Sequence, residues 1–158
     1  MLQSLAHNRT IRFLGTALAL SALAACNDST GPDDHDHGEH ADEVHAIRLT
    51  ITQGGTANTV TFEEGVMPPG LSIPVGQSVA VATFLAEDGD VLGDVDASEH
   101  TFSIESISPA SAMTFTRTSP FTGTVDAPSA GEATATVCLM HLDHCDLEFR
   151  NVPVTIGG

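Results

Sequence analysis

The sequence predicts an all-β domain, a sandwich or barrel of eight or nine short strands, and three observations carry that expectation. From Val44 onward apolar and polar residues alternate with period two, and no long segment carries a 3.6-residue apolar repeat. Clusters of Gly, Pro, Asp and Ser interrupt the alternation at short intervals. The composition is rich in Thr, Val, Ala, Ser and Gly, with no Trp or Tyr, so that 7 Phe must supply the bulk of a core.

The elements follow in order. Val44 to Thr52 places Ile47, Leu49 and Ile51 on one face, and Gly54-Gly55 turns the chain into Thr59-Val60-Thr61-Phe62, a hairpin signal. Met67-Pro68-Pro69-Gly70 breaks the pattern, Leu71 to Val75 is extended, and Gly76 precedes an alternating strand over Ser78 to Leu85. Glu87-Asp88-Gly89-Asp90 has the chemistry of a turn. Further strands are expected at His100 to Ile104, Met113 to Arg117, Phe121 to Val125, Ala133 to Met140 and Phe149 to Ile156.

The amino-terminal stretch follows other rules. Arg9 and Arg12 form a basic head with no acid nearby, and Phe13 to Ala25 is apolar apart from Gly15, Thr16 and Ser21. That run is shorter than the roughly 20 residues a membrane-spanning helix needs, so residues 1–25 read as a signal peptide. Leu23-Ala24-Ala25-Cys26 resembles the lipobox of bacterial lipoproteins. The resemblance implies a diacylglyceryl group on Cys26, cleavage before it and acylation of the new amino terminus. Two or three acyl chains, at about 0.8 kcal/mol per buried methylene, anchor stably. Asn27 is not the Asp that retains many such proteins at the inner membrane, which leans toward the outer membrane. The place expected is the bacterial cell envelope, with the membrane itself as a partner through the lipid.

Residues 26–43 read as a tether. Asn27 to Glu43 holds 7 acids and 3 histidines without apolar periodicity, and cannot bury enough surface to offset its chain entropy, so disorder is expected. His35, His37 and His40 lie among Asp33, Asp34, Asp36, Glu39, Asp42 and Glu43, with His45 just beyond. Imidazoles favour zinc, copper or nickel and carboxylates add oxygen ligands, so this run can collect divalent metal loosely. It can equally be a solvated spacer.

Residues 44–158 are the domain, and the segment from Leu71 to Ile156 carries a second resemblance. Pro74-Val75-Gly76-Gln77-Ser78, Asp88-Gly89-Asp90-Val91-Leu92, Phe121-Thr122-Gly123-Thr124-Val125 and Ser129 to Val137 are similar to bacterial immunoglobulin-like domains of the group 2 type. That resemblance implies an antiparallel immunoglobulin-like sandwich with an adhesive or architectural role. The combination of lipobox, His/Asp-rich tether and sandwich also resembles small uncharacterised lipoproteins of environmental bacteria.

Cys138-Leu139-Met140-His141-Leu142-Asp143-His144-Cys145-Asp146 is the one dense cluster of chemically capable side chains. With Cys26 lipidated, Cys138 and Cys145 are the remaining thiols of an exported chain, and a disulfide between them would staple a hairpin. Alternatively His141 and His144 bind zinc or copper, completed by Asp143, Asp146 or the reduced thiols. A disulfide would remove the sulfurs and still leave both imidazoles preorganised. A third arrangement starts from Glu99-His100-Thr101-Phe102 followed by Cys138-x-x-His141, which resembles the ligand order of cupredoxins and implies copper on His100, Cys138 and His141. Asp146 stands where that family carries an axial Met, and the usual aromatic and Gly residues of the loop are missing.

The charge balance narrows the partners. Five Arg and no Lys stand against 21 Asp and Glu, a net −16; losing residues 1–25 removes Arg9 and Arg12 and leaves 3 against 21, or −18. Such a surface repels nucleic acid and favours divalent cations or a basic protein partner. No Gly-x-Ser-x-Gly, His-Glu-x-x-His, phosphate loop or Lys is present, so no enzyme chemistry is expected. Glu63-Glu64 and Asp94, Asp96 and Glu99 read as solvated surface or a weak calcium site.

Overall fold

The structure is a computed structural model and describes residues 44–157. The expected signal peptide, Cys26 and the histidines His35, His37 and His40 of the expected tether lie outside the described residues. Ten strands follow in order: β1 (Ala46–Gln53), β2 (Thr56–Glu63), β3 (Leu71–Ile73), β4 (Gly76–Leu85), β5 (Val91–Leu92), β6 (His100–Ser108), β7 (Thr114–Ser119), β8 (Thr122–Ala127), β9 (Gly131–His141) and β10 (His144–Ile156).

They form two sheets, one ordered β2-β1-β4-β8-β7 with β5 beside β4, the other β3-β10-β9-β6. All pairings are antiparallel except β3 with β10. With β1 taken as strand A and β4, β6, β7, β8, β9 and β10 as B to G, the sheets are A-B-E-D and C-F-G. This is the connectivity of a constant-type immunoglobulin sandwich. To it are added β2 outside A and the short β3 along G.

Alternation explains the core. Ile47, Leu49 and Ile51 of β1 face Ala133, Ala135, Val137 and Leu139 of β9 and Leu147, Phe149, Val152 and Val154 of β10 in one buried cluster. The six Phe of the domain pair off: Phe62 with Phe149 at 5.5 Å, Phe84 with Phe121 at 4.8 Å, Phe102 with Phe115 at 5.4 Å. Two of these pairs join opposite sheets and hold them in register. Gly123 leaves the room in which the Phe115 ring lies, since a Cβ there would collide with it. In the β1–β2 hairpin Gly54 and Gly55 take φ of 58° and 85°, as a two-residue primed turn requires.

Two elements differ from the sequence expectation. Val91-Leu92, read as the end of a turn, makes a two-residue strand on the end of β4. The last strand begins at His144 and not at Phe149, because Leu147 and Phe149 point into the core from a stretch whose acids face out. The β9–β10 connection therefore shrinks to Leu142-Asp143, with both histidines on strands.

Candidate metal centre

The paired strands bring three histidines into one row. His100, first residue of β6, is registered with His141, last residue of β9, which is registered with His144, first residue of β10. Directly opposed residues in antiparallel strands share a face. Here it is the face that carries Phe102 and Ile104 inward, so the row closes one end of the core. The His100 and His141 rings stack at 4.7 Å and 13°, and His144 meets His141 edge-on at 5.2 Å.

A break in register supplies the carboxylate. Between Cys145 and Leu147 the β10 ladder slips by one residue, and the extra residue is Asp146. Its Oδ2 lies 3.6 Å from His100 Nε2 and 3.7 Å from His141 Nδ1, while Oδ1 is 3.0 Å from His144 Nε2. The ligating atoms of His100, His141 and Asp146 all lie within 4.8 Å of one another.

Each inner ring is held on its far side. His100 is buried, 3% exposed, and its Nδ1 is 3.2 Å from the carbonyl of Asp96. A carbonyl only accepts, so Nδ1 is the donor there, and the other ring nitrogen, Nε2, faces the carboxylate of Asp146. That Nε2 has no hydrogen-bond partner. A buried imidazole nitrogen that faces a carboxylate needs a proton or a metal cation between the two. His141 repeats the arrangement, with Nδ1 toward Asp146 and Nε2 3.5 Å from Glu99 Oε2. A carboxylate behind a ligating histidine fixes its tautomer and raises its basicity.

The loop before β6 is shaped for this placement. Asp96 Oδ1 accepts from the Ser98 N–H and hydroxyl, both at 2.7 Å, and those bonds hold its carboxyl below the usual carboxylate range. The Asp96 carbonyl accepts from the His100 N–H at 2.8 Å, and the Leu142 N–H donates to the Glu99 carbonyl at 2.9 Å, tying the hairpin tip to the start of β6.

The cysteines take the structural part. Cys138 and Cys145 are joined in a disulfide with Cα atoms 5.9 Å apart, across the hairpin whose tip carries His141 and His144. The sulfur of Cys138 therefore offers no thiolate, and the copper set of His100, Cys138 and His141 does not assemble: two of its members meet, with Asp146 in place of sulfur. His45 stays apart, facing Glu64 at 3.5 Å beside a cleft of about 600 Å³. Asp96 and Glu99, grouped in the sequence as a surface calcium candidate, turn to Ser98 and His141 respectively.

Each of these histidines is a candidate from the sequence, where His100 and His144 fall in separate groupings. The signal that joins them is the strand register, with His100 opening one strand and His141 closing another.

No family model matches the chain, and no curated protein matches it. Among solved structures, the crystal structure of domains 4 and 5 of the S-layer protein SbsC is similar at 16% identity. The match covers 73% of this chain and 66% of that one with a TM-score of 0.38, a likeness too distant to bear on function.

Proposed function

We propose that this chain is a lipid-anchored protein of the bacterial envelope whose immunoglobulin-type domain binds a divalent transition metal, zinc first, through His100, His141 and Asp146. It acts as a binding module and not as an enzyme. The observation that carries the metal reading is the Nε2 of His100, buried, without a hydrogen-bond partner, and aimed at a carboxylate oxygen 3.6 Å away. A tetrahedral ion with bonds of about 2.0 to 2.1 Å separates its donors by about 3.3 Å, so the two spacings to Asp146, 3.6 and 3.7 Å, close by a few tenths, while the two imidazole nitrogens, within 4.8 Å of each other, draw together as the ion binds. With both sulfurs bonded to each other the donors are nitrogen and oxygen, which suit Zn²⁺ or Cu²⁺ and exclude a thiolate site for Cu⁺. The acidic surface raises the local concentration of any such cation.

The lipid anchor rests on the lipobox and the tether on composition. With Cys26 acylated, residues 27–43 would hold the domain off the bilayer while His35, His37 and His40 collect metal near it. The group 2 immunoglobulin-like resemblance adds an adhesive or spacing role, with a protein partner.

Titration of Zn²⁺ into the full chain, beside His100→Ala and a triple variant of His35, His37 and His40 to Ala, tests the assignment. One ion per chain is expected, with an affinity loss of about 100-fold or more in His100→Ala and little change in the triple variant. Wild-type affinity in His100→Ala, or binding lost only with the tether histidines, would move the site out of the domain.

A further inference from the structure

Asp146 has two oxygens and uses them in different directions. Oδ2 faces the inner pair, His100 and His141, and Oδ1 faces His144 at 3.0 Å. The side chains form a gradient of exposure along the same line: 4% for His100, 28% for Asp146, 32% for His141 and 61% for His144. The far nitrogen of His144 lies 3.5 Å from Asp143, whose side chain is 98% exposed. His144 is thus a ring at the surface with a carboxylate on each nitrogen, sharing one of those carboxylates with the buried donors.

Resting on the metal reading above, we infer that His144 is an exchange ligand: it takes the ion at the surface together with Oδ1 of Asp146 and passes it to the inner donors. The ion moves by changing oxygens on one carboxylate. It leaves the pair His144 Nε2 and Asp146 Oδ1 and joins Asp146 Oδ2, His141 Nδ1 and His100 Nε2. No bond within the protein breaks, and the ion is never without a carboxylate partner. The inner set supplies three protein donors, one fewer than the closed shell of a structural zinc, the pattern of a site that trades its ion. The ligand handled is a free or loosely chelated divalent ion, and the corresponding partner is a metal acceptor of higher affinity.

A group that contacts the ion only in passage stabilises the crossing and neither end, so it speeds uptake and release alike and leaves the equilibrium unmoved. A permanent ligand does the opposite. The full chain and its His144→Ala variant are mixed with Zn²⁺ in a stopped-flow instrument, and the loaded proteins are then mixed with a chromophoric chelator. His144→Ala is expected to slow both uptake and release by about tenfold while the equilibrium affinity shifts by less than about threefold. His144→Gln, which keeps a polar side chain and lacks the imidazole lone pair, should match the alanine variant. An equilibrium loss of about tenfold or more with uptake unchanged would make His144 a resident ligand and overturn the inference. Unchanged rates in both variants would overturn it as well. If the wild-type chain takes up no stoichiometric zinc, the metal reading itself falls, a result separable from either outcome for His144.

Discussion

His100 concentrates the residue-scale account. A histidine at the first position of a strand, buried to 3%, hydrogen-bonded through one nitrogen and facing a carboxylate with the other, is placed to serve as one donor of a coordination site. Glu99 should act through His141 without touching the ion. Glu99→Gln keeps the volume, weakens the charge behind the ring and is expected to lower zinc affinity by about tenfold, with unchanged thermal unfolding of the metal-free protein. A competition titration checks it. The neighbouring turn holds a different cost: Leu142, exposed, sits at φ 51°, where a branched side chain crowds its own carbonyl. Leu142→Gly removes that crowding, less the entropy glycine loses on folding, for a net gain of about 0.5 to 1 kcal/mol in denaturant unfolding. Individual histidines were legible in the sequence. The pairing of His141 with His144 and Asp146, and of His100 with His141, was legible too; the meeting of His100 with Asp146 was not, because it depends on which strand lies beside which, and on a one-residue slip at Asp146 that leaves no mark in the chain.

At the scale of elements the β9–β10 hairpin does most of the positioning. It carries His141, His144 and Asp146, and its disulfide closes a seven-residue separation around the tip. Replacing both Cys138 and Cys145 by Ser should lower stability by about 2 to 3 kcal/mol, as expected for a loop of this size. Since the hairpin keeps its ladder on both sides of the bridge, zinc should still bind to the Ser variant, with an affinity lowered by less than about tenfold. Calorimetry with and without metal measures both quantities. Alternation made β1, β4, β8 and β9 readable, since their inward residues are apolar without exception or nearly so. The start of β10 hid behind Asp143, Asp146 and Glu148, whose charge reads as loop until the inward Leu147 and Phe149 are seen to share a face. β5, two residues long, has too little pattern to detect.

The whole chain joins an acidic sandwich to an amino-terminal segment that resembles a lipoprotein signal. The fold class followed from period-two alternation and turn chemistry, whereas the order of strands within the sheets did not. Register arises from contacts between residues tens of positions apart, such as Phe62 with Phe149. Removing one of these interlocking rings is costly: Phe102→Ala, at a side chain with no exposure and a partner in the other sheet, should destabilise by about 3 to 5 kcal/mol in urea unfolding. The proposed anchoring is separate from the metal site. Cys26→Ser is expected to shift the protein from the membrane pellet to the soluble fraction with no change in zinc affinity, because the site lies wholly within residues 44–157.

X-ray absorption at the zinc edge of the loaded full chain looks directly at the donors. The account predicts a first shell of nitrogen and oxygen at about 2.0 to 2.1 Å, with imidazole outer-shell scattering from two rings and no sulfur. A sulfur shell near 2.3 Å, or a six-oxygen shell without imidazole scattering, would contradict it.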